Sequence, residues 1–222
     1  QDIEFTIQQG ELFLLQSRAA KRAPAAALRI AVDMAQEDTI SRTEALSRVN
    51  AEQVRALLCP KLRQGAAEGA ELLAKGEAAC QGVGAGHVVL DADAAEQEAA
   101  KGRDVILVRP TTSPEDVHGM LVARAVVTAS GGATSHAAVV SRALGLPCVV
   151  GCGEDILRGH DGAKVTVDGG AGAVYRGILA VDTPDERDNP NLTEIGAWAG
   201  EQSPLAVYRE GEQPDGNILR SE

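Results

Sequence analysis

Hydrophobic and polar residues alternate along the first 18 residues of the chain. The apolar positions that follow this alternation are Ile3, Phe5 and Ile7, and then Leu12 and Leu14. Side chains of a β-strand point alternately to its two faces, so this two-residue period predicts strands. Gln9 and Gly10 separate the two runs and predict a turn, and we therefore predict a β-hairpin.

After the hairpin the chain changes to a helical pattern. Apolar residues that recur on one helical face predict a first helix over residues 24–36. Ser41, with Glu44 three residues later, has the spacing of a capping box and predicts a second helix. A third helix is predicted from about Asn50 to Pro60. The glycine- and charge-rich stretch that follows predicts a linker.

Short apolar runs of strand type then alternate with helix starts over residues 72–181. The runs lie at residues 88–90, 105–108, 126–127 and 148–150. Ser113, with an acidic partner at Asp116, predicts a capped helix between the second run and the third. The glycine-rich residues 169–172 predict a closing hairpin. Strands that alternate with helices predict one α/β domain.

The net charge of the chain is −11, and much of it lies in one segment. Residues 182–222 hold ten acidic and three basic residues and are rich in Pro, Gly and Asn, which predicts an acidic linker. Residues 191–198 are a candidate for a short helix within it. An acidic protein has no electrostatic attraction to nucleic acid or to an anionic membrane surface, so we expect neither partner. The sequence has no run of 18 apolar residues, and no membrane-spanning helix is predicted.

The four cysteines give little indication of a metal site. Cys148 and Cys152 are separated by three residues, and no second pair or histidine cluster accompanies them. A structural zinc ion needs four ligands at suitable spacing. We therefore expect free, buried thiols, which are typical of a reducing compartment, and a cytoplasmic protein.

One stretch combines a glycine turn with a histidine at the start of a helix. Gly131 and Gly132 allow a sharp turn and a close approach by a ligand, and Thr134 or Ser135 can cap the helix that follows. Free N–H groups at a helix N-terminus favour an anion, most often phosphate. A neutral imidazole nitrogen of His136 can act there as a nucleophile and form a phosphohistidine. The alternative is that His136 only caps a structural helix.

Residues 131–151 resemble the phosphohistidine motif of the phosphoenolpyruvate-utilising enzymes. The resemblance implies that His136 carries a transferred phosphoryl group within a phosphate cradle, whose residues are Gly131, Gly132, Thr134 and Ser135. Residues 66–181 resemble the swivelling domain of that family, which has β/β/α layers. In some members the threonine that matches Thr134 is a regulatory phosphorylation site. The alternative is that Thr134 only caps the helix or contacts phosphate.

The sequence departs from the family pattern at two places. Residues 76–82 lack a Ser-Pro-Gly run that is usual there, and Ala133 replaces a bulkier residue. Neither change removes the nucleophile, although both can alter the packing of the loop beside it. Arg109 and Arg142 are candidates to line the phosphate site, or are solvated or ion-paired arginines. Three histidines lack partners in sequence and are predicted to have no role: His87, His118 and His160.

Residues 1–20 resemble the closing strands of an ATP-grasp nucleotide-binding domain. In the family the matching positions face the ATP phosphates and magnesium, and the resemblance carries this role to Asp2, Glu4, Gln16 and Arg18. Carboxylate and amide oxygens suit Mg²⁺, and a guanidinium suits phosphate. The expected ligands of Mg²⁺ are Glu4 and Gln16. The alternative is an ordinary polar hairpin face, which alternation alone produces.

The resemblance implies an α/β chain of four parts. They are an ATP-grasp remnant at 1–20, a helical segment with its linker at 21–65, the swivelling phosphohistidine domain at 66–181, and a linker at 182–222 toward a phosphoenolpyruvate/pyruvate-binding barrel. The ATP-grasp domain and the barrel would be partners within a homodimeric parent enzyme. We therefore expect the chain alone to be incomplete and inactive.

The implied reaction moves a phosphoryl group reversibly from ATP through His136 to pyruvate and forms phosphoenolpyruvate. In the dikinase branch of the family inorganic phosphate takes the outer phosphoryl group of an intermediate, whereas in the synthase branch water does. Ser135 favours the dikinase branch, because synthases usually have Cys there. A phosphocarrier or regulatory domain that catalyses nothing by itself is the remaining alternative.

Overall fold

The computed structural model describes residues 1–203, and the chain divides into two compact units. One unit joins Gln1–Leu57 to the segment that begins at Asp185, and the other is Leu58–Pro184. No helix among the described residues is long and apolar enough to cross a membrane. The part of the predicted acidic linker beyond residue 203 lies outside the described residues.

The first unit opens with the predicted β-hairpin, which the structure confirms. Strand β1 (Asp2–Gln8) pairs antiparallel with β2 (Glu11–Arg18). Gln9 and Gly10 join the strands with φ angles of 53° and 83°. Two successive positive φ angles give a turn whose twist matches that of the paired strands. Whether the hairpin closes an ATP-grasp domain stays a prediction.

Three helices follow at the predicted places: α1 (Pro24–Gln36), α2 (Arg42–Ser47) and α3 (Ala51–Leu58). The hydroxyl of Ser41 accepts a hydrogen bond from the Glu44 N–H at 3.1 Å. This bond satisfies one of the free N–H groups at the start of α2, and it confirms the predicted cap. The buried face of α1 consists of Ala27, Leu28, Ala31 and Val32.

The second unit contains ten strands and three further helices. In chain order the strands are β3 (Lys61–Leu62), β4 (Leu72–Lys75), β5 (Glu77–Cys80), β6 (Val83–Val89), β7 (Val105–Arg109), β8 (Ala125–Thr128), β9 (Cys148–Val150), β10 (Lys164–Asp168), β11 (Ala173–Arg176) and β12 (Val181–Asp182). The helices are α4 (Ala92–Ala100), α5 (Val117–Val122) and α6 (His136–Leu144).

Eight of these strands form one sheet in the order β4-β11-β10-β6-β7-β8-β9-β5. Strands β6 to β9 are parallel to one another, and α4, α5 and α6 lie in the three crossovers between them. A parallel pair needs such a crossover, usually a helix. The mixed α/β class predicted from alternating strands and helices is therefore confirmed.

Both faces of this sheet are covered. Successive residues of β7 point to opposite faces, so Leu107 packs with helix residues such as Met120 and Ala138, while Ile106 packs with Val165 and other strand residues. Strand β10 also contacts β8 and β9, although it does not pair with either. The sheet therefore folds over itself, with helices on one face and strands on the other.

The second unit extends beyond the predicted limits of 66–181. Strand β3 lies in the stretch predicted as a linker, and it pairs with β12. The Arg63 guanidinium Nε lies 2.9 Å from an Asp182 carboxylate oxygen beside this pair. The predicted linkers after the third helix and from residue 182 are therefore wrong at these residues. Each segment forms a strand only by pairing with the other, and the local sequence of either segment does not show that pairing.

Within the predicted linker at residues 182–222, the structure has a helix at the place where a short one was predicted, and it is longer than residues 191–198. Helix α7 (Pro190–Gln202) belongs to the first unit and packs against α1 and α2. Its buried residues are Leu192, Ile195 and Trp198. Their three-residue spacing places them on one helical face, and their burial outweighs the acidic composition that predicted a linker.

Candidate functional site

The loop between β8 and α6 makes a turn that requires glycine. Gly131 has a φ angle of +116°, where residues with a Cβ are strained. A Cβ there would lie 3.0 Å from the Ser135 Cβ and 3.2 Å from its hydroxyl oxygen. Gly131 therefore lets the chain turn back closely enough for Ser135 to start the helix.

Ser135 is the N-cap of α6, which decides between the two predicted caps. Its hydroxyl accepts a hydrogen bond from the Ala138 N–H at 3.4 Å, and its carbonyl accepts one from the Val139 N–H at 3.0 Å. Thr134 does not cap the helix, and its side chain is exposed. His136 is consequently the first residue of α6.

Several backbone donors around His136 have no acceptor within the described chain. Among residues 1–203, no acceptor contacts the N–H groups of Thr134, His136 or Ala137. The first N–H groups of a helix have no partner inside the helix and carry the positive end of its dipole. The loop and the first turn of α6 can therefore bind an anion.

The imidazole of His136 lies partly buried at this helix start. Its Nε2 atom is inaccessible to solvent, and it has no hydrogen-bond partner in the part of the chain that the structure describes. A buried polar atom without a partner is uncommon and carries a desolvation cost. Ring nitrogens of His87 and His160 share this property among the described residues, so what distinguishes His136 is its place at the helix N-terminus.

Two charged side chains hold the peptide that precedes Thr134. The Ala133 N–H donates to the Glu77 carboxylate at 3.1 Å. The Arg142 guanidinium donates to the Ala133 carbonyl at 2.6 Å and to the Ala79 carbonyl at 3.1 Å. The loop is thus tied to strand β5 and to helix α6 at the same residue. The two places that depart from the family pattern, 76–82 and Ala133, touch each other here.

Arg142 therefore binds backbone carbonyls at this site, and Glu77 is a residue that sequence reasoning missed. Fifty-six positions separate Glu77 from Ala133. Strand β5 reaches the loop only because it pairs with β9 at the sheet edge. No local signal in the sequence could have indicated this contact.

Arg109 takes part in a buried ion pair rather than in the histidine loop. Its Nε lies 3.1 Å from an oxygen of the buried Asp116 carboxylate, without the alignment of a hydrogen bond. Another guanidinium nitrogen donates to the Leu90 carbonyl at 2.8 Å. Asp116 also accepts from the Ser113 N–H at 2.8 Å, so the predicted capping box is confirmed.

The remaining histidines lie on other elements. His118 Nε2 is 2.9 Å from an Asp93 carboxylate oxygen, between α5 and α4. His87 lies in β6, and His160 lies in the turn before β10. Within the described residues, the Nδ1 atoms of His87 and His160 are buried without partners.

The four cysteines are free thiols, but only Cys148 is buried as predicted, whereas Cys59, Cys80 and Cys152 are partly buried. Cys80 and Cys148 are opposite each other in the β5–β9 pair. Burial raises the pKa of the Cys148 thiol to about 11. Burial also raises the pKa of the Cys152 thiol to about 11, with a smaller contribution from the neighbouring Cys148. Among residues 1–203, no group of three His, Cys, Asp or Glu side chains could hold a metal ion.

The hairpin brings its four predicted nucleotide-binding residues onto one face. Asp2 is opposite Arg18, and Glu4 is opposite Gln16. The Arg18 guanidinium lies 2.9 Å from an Asp2 oxygen and 3.8 Å from a Glu4 oxygen. All four side chains are exposed. Carboxylate, amide and guanidinium groups thus form one polar patch.

Comparisons with known proteins find relatives of this chain. Residues 101–172, which include the histidine loop, match the family model "PEP-utilising enzyme, mobile domain". This part of the chain is therefore similar to the mobile domain of the phosphoenolpyruvate-utilising enzymes. The whole chain is similar to pyruvate, phosphate dikinases. It is 39% identical to that of Rhizobium meliloti over 100% of its length and 37% identical to that of Clostridium symbiosum over 98%.

The chain spans 26% of the length of each of these two relatives. A chloroplastic dikinase of Arabidopsis thaliana is 37% identical over 98% of the chain, which covers 24% of that protein. A solution structure of Enzyme I has 30% sequence identity, covering 42% of this chain and 35% of that one, with a TM-score of 0.29. That score is too low to support an argument about the fold.

Proposed function

We propose that the chain is the phosphoryl-carrying region of a pyruvate, phosphate dikinase and that His136 takes the phosphoryl group. The similarity to dikinases over the whole chain supports this function. The observation that carries the choice of residue is the place of His136 as the first residue of α6, beside free N–H groups. The positive end of the helix dipole favours a phosphoryl group at that place.

The reaction at His136 is one pyrophosphoryl transfer followed by two phosphoryl transfers. An imidazole nitrogen attacks the β-phosphorus of ATP, the bond to the bridging oxygen of the α-phosphate breaks, and AMP leaves. Inorganic phosphate then takes the outer phosphoryl group as pyrophosphate. The remaining phosphohistidine gives its phosphoryl group to the enolate oxygen of pyruvate. Catalysis in such transfers consists mainly of positioning and of stabilising negative charge.

The polar patch on the hairpin has groups suited to binding Mg²⁺ and the phosphates of ATP in this reaction. Mg²⁺ in phosphate-transferring sites is usually held by one or two carboxylates together with substrate phosphates. Glu4 and Gln16, opposite each other on one face, supply hard oxygen donors for such an ion, and Asp2 and Arg18 supply a carboxylate and a guanidinium beside them. When bound, Mg²⁺ neutralises negative charge on the phosphates.

His136 has to travel between two reaction centres. One imidazole cannot be in line with ATP and with pyruvate at separate sites, so the domain that carries it must swing. We place the ATP-grasp and phosphoenolpyruvate/pyruvate-binding domains elsewhere in a homodimeric parent enzyme, and the free thiols support a cytoplasmic location. The chain matches 26% of the length of the Rhizobium meliloti dikinase, and this share supports the existence of those other domains.

A chimera tests this function. The chain replaces the matching region of the Rhizobium meliloti dikinase, and phosphoenolpyruvate formation from pyruvate, ATP and phosphate is measured. We expect turnover that requires inorganic phosphate and is lost in His136→Asn, whereas His118→Asn is active. A His136→Asn chimera that still accumulates acid-labile phosphoprotein would contradict the assignment, as would an inactive chimera with the native chain. Turnover without inorganic phosphate would favour the synthase reaction.

A further inference from the structure

The Glu77 carboxylate is an anion already held by the histidine loop. Its Oε2 accepts a hydrogen bond from the Ala133 N–H at 3.1 Å. A Cβ on Gly132 would lie 3.2 Å from the same oxygen, so the absence of a side chain there gives the carboxylate room. The loop that can bind a phosphoryl group thus binds a carboxylate oxygen of its own chain.

Glu77 forms no direct ion pair within the described chain. Among residues 1–203, no Lys, Arg or His nitrogen lies within ion-pair distance of Glu77. The nearby Arg142 directs its guanidinium to the carbonyls of Ala79 and Ala133. Glu77 therefore adds a negative charge, without a direct ion pair, beside N–H groups that would otherwise attract an anion. That negative charge repels an incoming phosphoryl group.

We propose that Glu77 is a positioning residue with two opposing effects on phosphorylation of His136, an inference that rests on the proposed function. Its hydrogen bond fixes the Ala133 peptide, and its charge weakens the attraction of the loop for a second anion. Glutamine at this position retains an acceptor oxygen without the charge, and alanine retains neither. The two substitutions therefore separate the two effects.

Phosphoramidate is a suitable probe, because it phosphorylates histidine in the chain itself without a nucleotide site. A nitrogen of the imidazole forms a bond to phosphorus, the P–N bond of phosphoramidate breaks, and ammonia leaves with the proton. The rate is followed by ³¹P NMR at low and at high salt. Glu96→Gln is the matched control, since Glu96 is an exposed carboxylate on α4 without a hydrogen bond to the histidine loop.

We expect Glu77→Gln to raise the rate at low salt by a factor of roughly two to five, the range of interactions between exposed charges. The increase should shrink toward one at high salt, because salt screens such charges. Glu77→Ala should be slower than Glu77→Gln, because the loop loses its hydrogen bond. Glu96→Gln should match the native chain.

The outcomes separate this inference from the proposed function. Suppose that the native chain is phosphorylated at His136, but Glu77→Gln reacts at the same rate or more slowly at low salt. That result would overturn the inference and leave the proposed function intact. An increase that does not depend on salt, or one that Glu96→Gln reproduces, would do the same. A native chain that forms no phosphohistidine at position 136 would overturn the proposed function, and the inference with it.

Discussion

Gly131→Ala tests whether the glycine turn positions the start of α6. The substitution adds a Cβ at a φ angle of +116°, 3.0 Å from the Ser135 Cβ and 3.2 Å from its hydroxyl oxygen. These close contacts can be relieved only if the turn or Ser135 moves. Because Ser135 caps α6, either movement disturbs the first turn of that helix, where His136 lies.

The size of the effect follows from two contributions. A residue in a sparsely populated backbone region costs about 1–3 kcal/mol, and loss of an N-cap costs about 0.5–2 kcal/mol. We therefore expect the free energy of unfolding to fall by about 1.5–5 kcal/mol. Domains are typically stable by about 5–15 kcal/mol, so the variant should fold.

Gly145→Ala is the matched control at the other end of the same helix. Gly145 has a φ angle of +68°, and a Cβ there would meet no atom within 4 Å. This variant bears backbone strain alone, about 1–2 kcal/mol. Urea unfolding followed by circular dichroism gives both stabilities, and ³¹P NMR gives the rate with phosphoramidate. Gly131→Ala should lose most of its reactivity, and Gly145→Ala should retain it. Equal stabilities and equal rates for the two variants would refute the role of the turn.

Three further predictions concern the same domain. Thr134→Asp should slow phosphorylation of His136 by phosphoramidate because it places a negative charge beside the anion site, whereas Thr134→Ser should react normally; equal rates would exclude a charge-based switch at this residue. Ser135→Ala should lower the free energy of unfolding by about 0.5–2 kcal/mol through loss of the cap, and no change in urea unfolding would show that another group caps α6. Burial raises the pKa of the Cys148 and Cys152 thiols from 9.0 to about 11, so the folded state retains protons that the unfolded state loses, and stability should fall as the pH rises from 9 to 11. Replacing both by alanine should flatten that fall, and an unchanged pH dependence would contradict the assignment.

Local signals in the sequence predicted much of the fold. Gln9 and Gly10 form the hairpin turn, Ser41 caps α2, and Ser113 with Asp116 forms a capping box. Each of these features depends on residues no more than a few positions apart, so the sequence specifies them directly. The glycine turn and the helix that begins at His136 are also local.

Contacts between distant segments were beyond such reasoning. Glu77 reaches the histidine loop through strand pairing at the sheet edge, and β3 pairs with β12 across more than one hundred residues. Helix α7 contains apolar residues at helical spacing, but only burial against α1 and α2 outweighs its acidic surroundings. In each case the stabilising partner lies in another part of the chain, and local pattern does not specify it.

The central claim is that His136 forms the phosphohistidine. The most direct test is to treat the ¹⁵N-labelled chain with phosphoramidate and to identify the phosphorylated nitrogen by its coupling to phosphorus in NMR. We predict one acid-labile phosphohistidine signal that belongs to the His136 ring and is absent from His136→Asn. A signal that persists in that variant, or one that belongs to His87, His118 or His160, would contradict the account.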